Sequence, residues 1–349
     1  MAYTSIDDPT TFFNTILYTG NNASNRGITG VNFAPNWVWI KKRNATAGGV
    51  ISDTVRGAGK VLYSSETNAE GSESASFVSF DSDGYTISQD AGVGLNVSSD
   101  TYVGWNWKAG TSFSNDASAT GIGTIDSSAS VSADAGFSIV SYTGTGSAAT
   151  IAHGIGSAPD VVIIKKRSTT SQWCFGTNAL GFTKFLELNL TSAAGTNSNR
   201  FNDTAPTSSV FSIGTEGDVN ASSGTYIAYC FAEKKGYSKF GSYTGNGNAD
   251  GTYVHLGFKP AWVLYKKSSG TENWFLHDNK RQGFNPDNEL LFADLTNAEG
   301  TVNRIDLLSN GFKATTSDGG INGSGATYIY MAFAEAPFVN SSGVPNNAR

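Results

Sequence analysis

The segment Pro35-Asn36-Trp37-Val38-Trp39-Ile40-Lys41-Lys42 decides the fold of this chain, because closely similar segments follow at residues 159–166 and 260–267. In each copy a proline precedes four consecutive apolar residues, and a lysine pair follows them. A strand with four apolar residues in a row is covered on both faces, so we expect a central strand in each copy. We expect each lysine pair to mark the point where that strand emerges into solvent.

Two further motifs accompany every copy of this segment. A Tyr-Thr-Gly motif begins 17 residues before each proline, and a Thr-Tyr pair lies 61 or 62 residues after each first lysine. The motif tyrosines are Tyr18, Tyr142 and Tyr243 at the start, and Tyr102, Tyr226 and Tyr328 at the end. A repeat of this length indicates one folding unit that was copied. We predict units at residues 13–108, 136–239 and 240–338, with a leader at 1–12 and a polar tail at 339–349.

Residues 109–135 separate the first two units and consist almost entirely of Ser, Ala, Gly, Thr and Asp. Such a segment has little apolar area to bury and cannot offset the entropy that ordering would cost. We predict a linker or an extended tether.

Composition favours β-structure throughout. The chain has 41 Gly among 349 residues, 12% aromatic residues and only 15% charged residues. Turn pairs such as Asp83-Gly84 and Asn310-Gly311 predict β-hairpins. We predict an all-β chain of three tandem antiparallel β-sandwich units, for which a jelly-roll-like version is equally compatible.

Charge and patterning exclude several classes of function. A net charge of −6 disfavours non-specific nucleic-acid binding, which needs a basic surface. No stretch approaches the 18 apolar residues of a membrane span, so we expect no membrane insertion. The N-terminal residues lack the basic and apolar regions of a secretion signal, so we expect folding in a cytoplasm. Cys174 and Cys230 occur only in the second unit and are interpreted as two buried thiols.

Several polar residues invite a catalytic or metal-binding interpretation that the repeat does not support. His153 and His255 precede their prolines, but a metal site needs more converging ligands than three histidines in the whole chain offer. Glu70 and Glu299 share a Thr-Asn-Ala-Glu-Gly turn, whereas the second unit has Ala194 there. A glycosidase would need two carboxylates about 5–10 Å apart. We therefore predict no catalytic residues, no metal site and no cofactor.

Aromatic side chains that we expect to be exposed are the better binding candidates. Trp105 and Trp107 end the last strand of the first unit, and Trp274 and Phe275 lie in the third unit. Aromatic platforms beside polar loops are typical of carbohydrate binding, so we name these four as candidate glycan contacts. The alternative is that they belong to the core or to contacts between repeats.

Several phrases of the chain resemble a repeat family of uncharacterised virion proteins from tailed bacteriophages, especially marine and cyanobacterial ones. The phrases are Leu17-Tyr18-Thr19-Gly20, Pro35-Asn36-Trp37-Val38-Trp39-Ile40-Lys41, Ser242-Tyr243-Thr244-Gly245-Asn246-Gly247, Phe258-Lys259-Pro260-Ala261-Trp262-Val263-Leu264 and Thr327-Tyr328-Ile329-Tyr330-Met331-Ala332-Phe333-Ala334-Glu335-Ala336-Pro337. The resemblance covers nearly the whole chain. It implies a particle component of the tail, a fibre or the outer capsid, and it brings no catalytic residues.

The resulting expectation is a bacteriophage virion structural protein, assembled in the host cytoplasm. We expect a tail fibre or tail-associated adhesin that contacts a host cell-surface glycan and is not an enzyme. Fibres of this kind are homotrimers, which would bury apolar outer faces between chains, and the leader would attach to other virion proteins. The alternatives are a capsid decoration or head-fibre protein and a polysaccharide-degrading tailspike.

Overall fold

The protein folds into three successive antiparallel β-units. The computed structural model describes residues 3–89, 92–281 and 285–345. The first unit consists of β1 (Phe13–Thr19), β2 (Arg26–Thr29), β3 (Trp37–Lys42), β4 (Val50–Asp53), β5 (Lys60–Tyr63), β6 (Gly71–Ser72), β7 (Phe77–Asp81), β8 (Gly84–Ile87) and β9 (Thr101–Trp107). Its inner sheet has the order β1-β9-β3-β4-β5-β6, and its outer sheet has the order β2-β8-β7.

The second unit repeats this plan with additions. Its elements are β10 (Thr111–Asn115), α1 (Ala117–Thr120), β11 (Ser127–Ser132), β12 (Phe137–Thr143), β13 (Ala149–Ala152), β14 (Val161–Lys166), β15 (Trp173–Thr177), β16 (Lys184–Glu187), β17 (Gly195–Thr196), α2 (Ser198–Phe201), β18 (Val210–Ile213), α3 (Gly217–Asn220) and β19 (Thr225–Phe231). The inner sheet has the order β10-β11-β12-β19-β14-β15-β16-β17, and β13 pairs with β18 outside it.

The third unit forms one continuous sheet that curls into a nearly closed barrel. Its strands are β20 (Ser238–Thr244), β21 (Tyr253–His255), β22 (Phe258–Lys267), β23 (Trp274–Asp278), β24 (Asp287–Phe292), β25 (Gly300–Leu308), β26 (Gly311–Ala314) and β27 (Thr327–Pro337). The all-β prediction of three antiparallel units is confirmed. So are the predicted hairpins, because Gly84 and Gly311 begin the second strands of β7–β8 and β25–β26.

Strand pairing explains why the motif tyrosines recur. In the first and third units the first strand pairs with the last and the second strand pairs with the last-but-one, which is a jelly-roll order. In the second unit, after the additional strands β10 and β11, β12 pairs with β19 and β13 pairs with β18 in the same way. This register places the two motif tyrosines of each unit opposite one another. Their rings stack at centroid distances of 4.8, 5.1 and 5.0 Å in the three successive units.

The four-residue apolar run forms a strand that is covered on both faces, as predicted. Val38 and Ile40 lie in the core between the two sheets of the first unit. Trp37 and Trp39 point the other way, into a second core that all three units share. The equivalent residues of the other units, Val161 and Ile163, and Trp262 and Leu264, lie in the same shared core.

The shared core holds the three inner sheets face to face. Trp107, Phe231 and Phe333 occupy equivalent positions near the ends of the three last strands. Phe333 lies 5.5 Å from Trp107 and 5.8 Å from Phe231, ring centroid to ring centroid. Each unit contacts both others, so the chain closes into a three-membered ring around this core. We call the end of the ring with these aromatic residues the basal end, and the opposite end, with the Tyr-Thr-Gly motifs, the apical end.

Residues 109–135 are not a tether, so the linker prediction is wrong. Strand β10 pairs with β11, and β11 pairs with β12, so the two strands widen the inner sheet of the second unit. Backbone hydrogen bonds and the packing of small, alternating side chains supply the stabilisation that the low apolar content of this segment cannot provide. Ala129 and Val131 enter the unit's own core, and Ser127 Oγ donates to the Ala152 carbonyl at 2.9 Å.

The leader and the tail both pack at the basal end. Ile6 is buried in the shared core, and Tyr3 Oη donates to the Gly257 carbonyl at 2.8 Å. A short 3₁₀ helix, Pro9–Thr11, leads into β1. Ser341 of the tail donates its backbone N–H to Asp7 at 2.6 Å, which ties the two termini together. In the part of the chain that the structure describes, no helix has the length and apolarity of a membrane span.

Candidate functional site

The four aromatic residues named as glycan contacts are all buried. Trp105, Trp107 and Trp274 lie in the shared core with exposures of 0, 1 and 0%, and Phe275 lies in the third unit's own core at 2%. The expectation that they are exposed is therefore wrong. A strand end is exposed in an isolated sandwich, but here neighbouring units cover it. These residues belong to the core and to the contacts between the repeats, as the alternative interpretation had it.

The first lysine of each pair is also buried, so the expected exposed strand end is wrong for these residues. Lys41, Lys165 and Lys266 are 0% exposed. Each ammonium group donates to a backbone carbonyl of a neighbouring unit. Lys41 donates to Leu295 at 2.7 Å, Lys165 to Thr67 at 3.0 Å and Lys266 to Thr191 at 3.2 Å. The acceptor units are the third, the first and the second in turn, so these bonds close the ring cyclically.

Burial lowers the pKa of all three lysines to about 8, from an ordinary value of 10.5. Between these values the unfolded chain holds more protons than the folded chain, so the free energy of unfolding increases with pH. We expect an increase of about 1 kcal/mol or more from pH 7.5 to 9.5. Urea denaturation at a series of pH values measures this. Two kinds of buried group oppose this increase. Burial raises the pKa of the Cys174 and Cys230 thiols, so the unfolded chain loses their protons first from about pH 8.5. Above about pH 10 the buried tyrosines reverse the trend, because unfolded tyrosine loses its proton there.

The variant Lys165→Met supplies the control for this pH dependence. It removes one of the three ammonium groups, so the slope of unfolding free energy against pH should fall by at least roughly a third. A wild-type stability that stays level or decreases over this range would contradict the assignment.

The turn glutamates pair with arginines of the next unit. Glu299 contacts Arg43 at 2.8 Å, and Glu70 contacts Arg167 at 2.8 Å. At the third junction both partners are replaced together, because Ala194 faces Ser268 and only the backbone bond between them remains, at 2.9 Å. The paired loss shows that these carboxylates hold the units together.

The histidines do not form a metal site. His153 is buried and accepts the Ile155 N–H at Nδ1, and its Nε2 lies 3.1 Å from the Thr207 carbonyl. Burial lowers the pKa of His153, so its ring is neutral. His255 is exposed on β21. Among residues 3–89, 92–281 and 285–345, no group of three or more His, Cys, Asp or Glu side chains could hold a metal ion.

The apical end presents three polar loops that the sequence interpretation missed. Each loop follows a Tyr-Thr-Gly motif, and the exposed residues include Asn22, Thr145 and Asn248. A fully buried asparagine supports each loop from below: Asn96, Asn220 or Asn322. These asparagines precede the closing tyrosine by six residues in every unit, and that constant spacing could have revealed them.

Each buried asparagine fixes the backbone of its loop. Asn322 Nδ2 donates to Asn246 Oδ1 at 2.8 Å, to the Asn248 carbonyl at 2.8 Å and to the Thr316 carbonyl at 2.9 Å. Asn220 similarly donates to the Ser147 carbonyl at 2.6 Å. Loops held in this way expose polar groups in a preset arrangement, which lowers the entropy that a ligand would otherwise lose on binding.

The motif glycine is required at the same place. A Cβ on Gly144 would lie 2.5 Å from the Ala221 carbonyl oxygen, and one on Gly245 would lie 2.3 Å from the Gly323 carbonyl oxygen. The third residue of the Tyr-Thr-Gly motif therefore serves the packing of the apical loops. The motif is a structural signature, and the exposed loop residues above it are the candidate functional surface.

Comparison with known proteins identifies a family but no function. No curated protein and no solved structure matches the chain. A family model described as a domain of unknown function, DUF7483, matches residues 8–337, which include all three units. The chain belongs to this family.

Proposed function

We propose that the protein is a bacteriophage virion structural protein that attaches to the host surface through its apical end. The observation that supports the proposal is the difference between the two ends of the molecule. Both termini pack at the basal end, where Asp7 and Ser341 join them, and the three polar loops lie at the opposite end. An attachment protein needs this arrangement, with one end for the particle and the other for the host.

The arrangement of the loops also suits multivalent contact. Three preset loops on one rigid ring can engage a repetitive surface together, so weak individual contacts gain avidity. Loops on a rigid scaffold are where binding residues concentrate in proteins generally. A host cell-surface glycan is such a repetitive surface.

The homotrimer remains a prediction, but the physical reason first given for it no longer applies. The apolar faces that were expected to meet between chains are covered within one chain by the shared core. Among residues 3–89, 92–281 and 285–345, the large apolar residues that remain exposed are scattered: Leu17, Ile122, Tyr253, Val302 and Val344. A trimer would therefore use polar surfaces, and sedimentation of the purified chain measures whether it forms.

Coupling the chain to beads in two opposite orientations tests the proposal. The two native cysteines are buried, so an added surface cysteine is the reactive one. Ser24→Cys couples the chain through an apical loop, and Ser5→Cys couples it through the leader. Both serines are exposed. Beads coated through Ser5→Cys should capture cultured marine cyanobacterial cells at least roughly tenfold better than beads coated through Ser24→Cys.

Equal capture by both beads, or capture by neither, would contradict attachment through the apical end. The release of new reducing ends from the cell polysaccharide would instead identify a tailspike enzyme.

Decoration of a capsid is the second candidate, and the cyclic arrangement of the three units favours it. A chain with approximate threefold symmetry matches a threefold position on an icosahedral shell. A map of the intact particle separates the two candidates, because a decoration protein would lie on the shell with its basal end inward.

A further inference from the structure

The second unit contains a polar groove that is built in part from strands found only in this unit among the described residues. Its volume is about 700 Å³, and its lining runs from Ser114 to Asp116, from Thr124 to Ser128 and from Ser141 to Thr145. The first two of these segments belong to the β10–β11 region, which precedes only the second unit. The third segment ends β12 at the Tyr-Thr-Gly motif, so the groove lies toward the apical end.

Strand register arranges the side chains of the groove in rows. Ser114 pairs with Ser128, and Ser128 pairs with Ser141, so three hydroxyl groups lie in line across β10, β11 and β12. Asp116 follows β10 with an extended backbone, and it is exposed like Ser114 while Asn115 between them is buried, so the two share a face. Asp126 directly precedes β11 and is exposed like Ser128 while Ser127 between them is buried, and Thr143 shares a face with Ser141 on β12. Neighbouring strands are about 4.8 Å apart, so each row spans about 10 Å.

The two carboxylates of the second row are held in place. Asp126 Oδ1 accepts the Ala117 N–H at 2.8 Å, and Asp116 Oδ1 accepts the Ala119 N–H at 3.0 Å. A hydrogen bond from the Ser118 hydroxyl lowers the pKa of Asp116, so this carboxylate is ionised at neutral pH. Both aspartates remain exposed to solvent and line the groove.

The chemistry of the groove selects one class of ligand. Hydroxyl groups and carboxylates accept and donate the hydrogen bonds that sugar hydroxyls make. The lining contains no lysine or arginine and carries two negative charges, so an anionic ligand is repelled. The length of a row is comparable to that of a disaccharide.

We propose that this groove binds a neutral oligosaccharide, with Asp116, Asp126 and Ser128 as the principal contacts. The inference rests on the proposed attachment function and names the site within it. Because the other two units lack the β10–β11 strands, each chain has one such site. Attachment then requires several chains, or the apical loops as additional contacts.

Binding to an array of neutral hexose oligosaccharides, with alginate oligosaccharides as the anionic set, tests the inference. The full chain should bind neutral members with a stoichiometry of one per chain in calorimetry, and it should not bind alginate. Asp126→Asn keeps the acceptor for Ala117 but removes the charge, and Ser128→Arg fills the groove. Each change should weaken binding at least roughly tenfold, since each removes a charged or central hydrogen bond.

Ser112→Arg is the matched control, because Ser112 is exposed on the same strand as Ser114 but lies outside the groove. It should bind as the unaltered chain does. Three outcomes would each overturn the inference: the chain binds no neutral oligosaccharide, it binds alginate, or it binds three oligosaccharides per chain. If Ser5→Cys beads capture cells equally well with and without Ser128→Arg, the groove inference fails while the attachment proposal stands.

Discussion

Replacing Asp53 by alanine is expected to lower the free energy of unfolding by about 3–5 kcal/mol, because it breaks a buried ion pair at one partner. Asp53 accepts a hydrogen bond from Arg56, and both side chains are 0% exposed. It also accepts the Tyr229 hydroxyl of the second unit at 2.8 Å. The variant leaves a buried guanidinium that keeps its bond to the Ile51 carbonyl and an ion pair with Glu70 at 3.5 Å. Urea denaturation followed by tryptophan fluorescence measures the loss.

The second unit offers a matched control for Asp53. Thr177 occupies the equivalent position at the end of β15, is 3% exposed and has no charge to balance. Thr177→Ala should cost only about 1 kcal/mol. If both variants lose a similar amount of unfolding free energy, the ion pair contributes no more to stability at the junction between the units than an uncharged side chain does.

A multiple replacement tests whether the neutral residues of one junction between units can replace the charged residues of another. The residues at the junction of the first and second units are changed to their neutral counterparts at the junction of the second and third units. The variant is Asp53→Thr, Arg56→Leu, Glu70→Ala, Arg167→Ser and Tyr229→Met. Because no charge is left unpaired, it should recover most of the stability that Asp53→Ala loses. A cost above that of the single variant would mean that the surrounding core cannot accept the neutral set.

The sequence was sufficient to predict the repeat, the strand class and the covered central strand. It could not show what covers that strand. Four apolar residues in a row require two apolar neighbours, but Trp37 and Trp39 carry no mark that their neighbours belong to other units. Lys41 was misinterpreted for the same reason. Its position at a strand end suggests exposure, but the third unit lies against it, and the carbonyl of Leu295 accepts a hydrogen bond from its ammonium group.

The junctions did leave a trace in the sequence. Arg43 and Arg167 follow two lysine pairs, whereas Ser268 follows the third. The matching turn residues are Glu299 and Glu70 in two cases and Ala194 in the other. A charge lost in one unit together with its opposite in another indicates contact between units, and it even gives the cyclic order. The groove left no such trace, because its serines are ordinary in a Ser-rich segment.

Replacing Gly49 by tryptophan is expected to destabilise the chain by about 3 kcal/mol or more, although the other two units carry tryptophan at this position. Trp173 and Trp274 lie opposite the first lysine of their units, and Gly49 is their counterpart. In the first unit Trp39 already fills the space, because a Cβ on Gly49 would lie 2.6 Å from Trp39 Nε1 and 2.6 Å from Ser64 Oγ. Thermal or urea denaturation measures the loss.

The counterparts of Trp39 show how the strain can be removed. They are Ile163 and Leu264, so each unit combines one tryptophan with one smaller residue across β3–β4 or the equivalent strands. Trp39→Leu alone should cost about 3 kcal/mol through the cavity that it leaves. Together, Gly49→Trp and Trp39→Leu recreate the pair of the third unit and should recover at least half of the summed loss. Additive costs would mean that the two side chains do not compete for one space, and that the shared core is not filled alike by its three units.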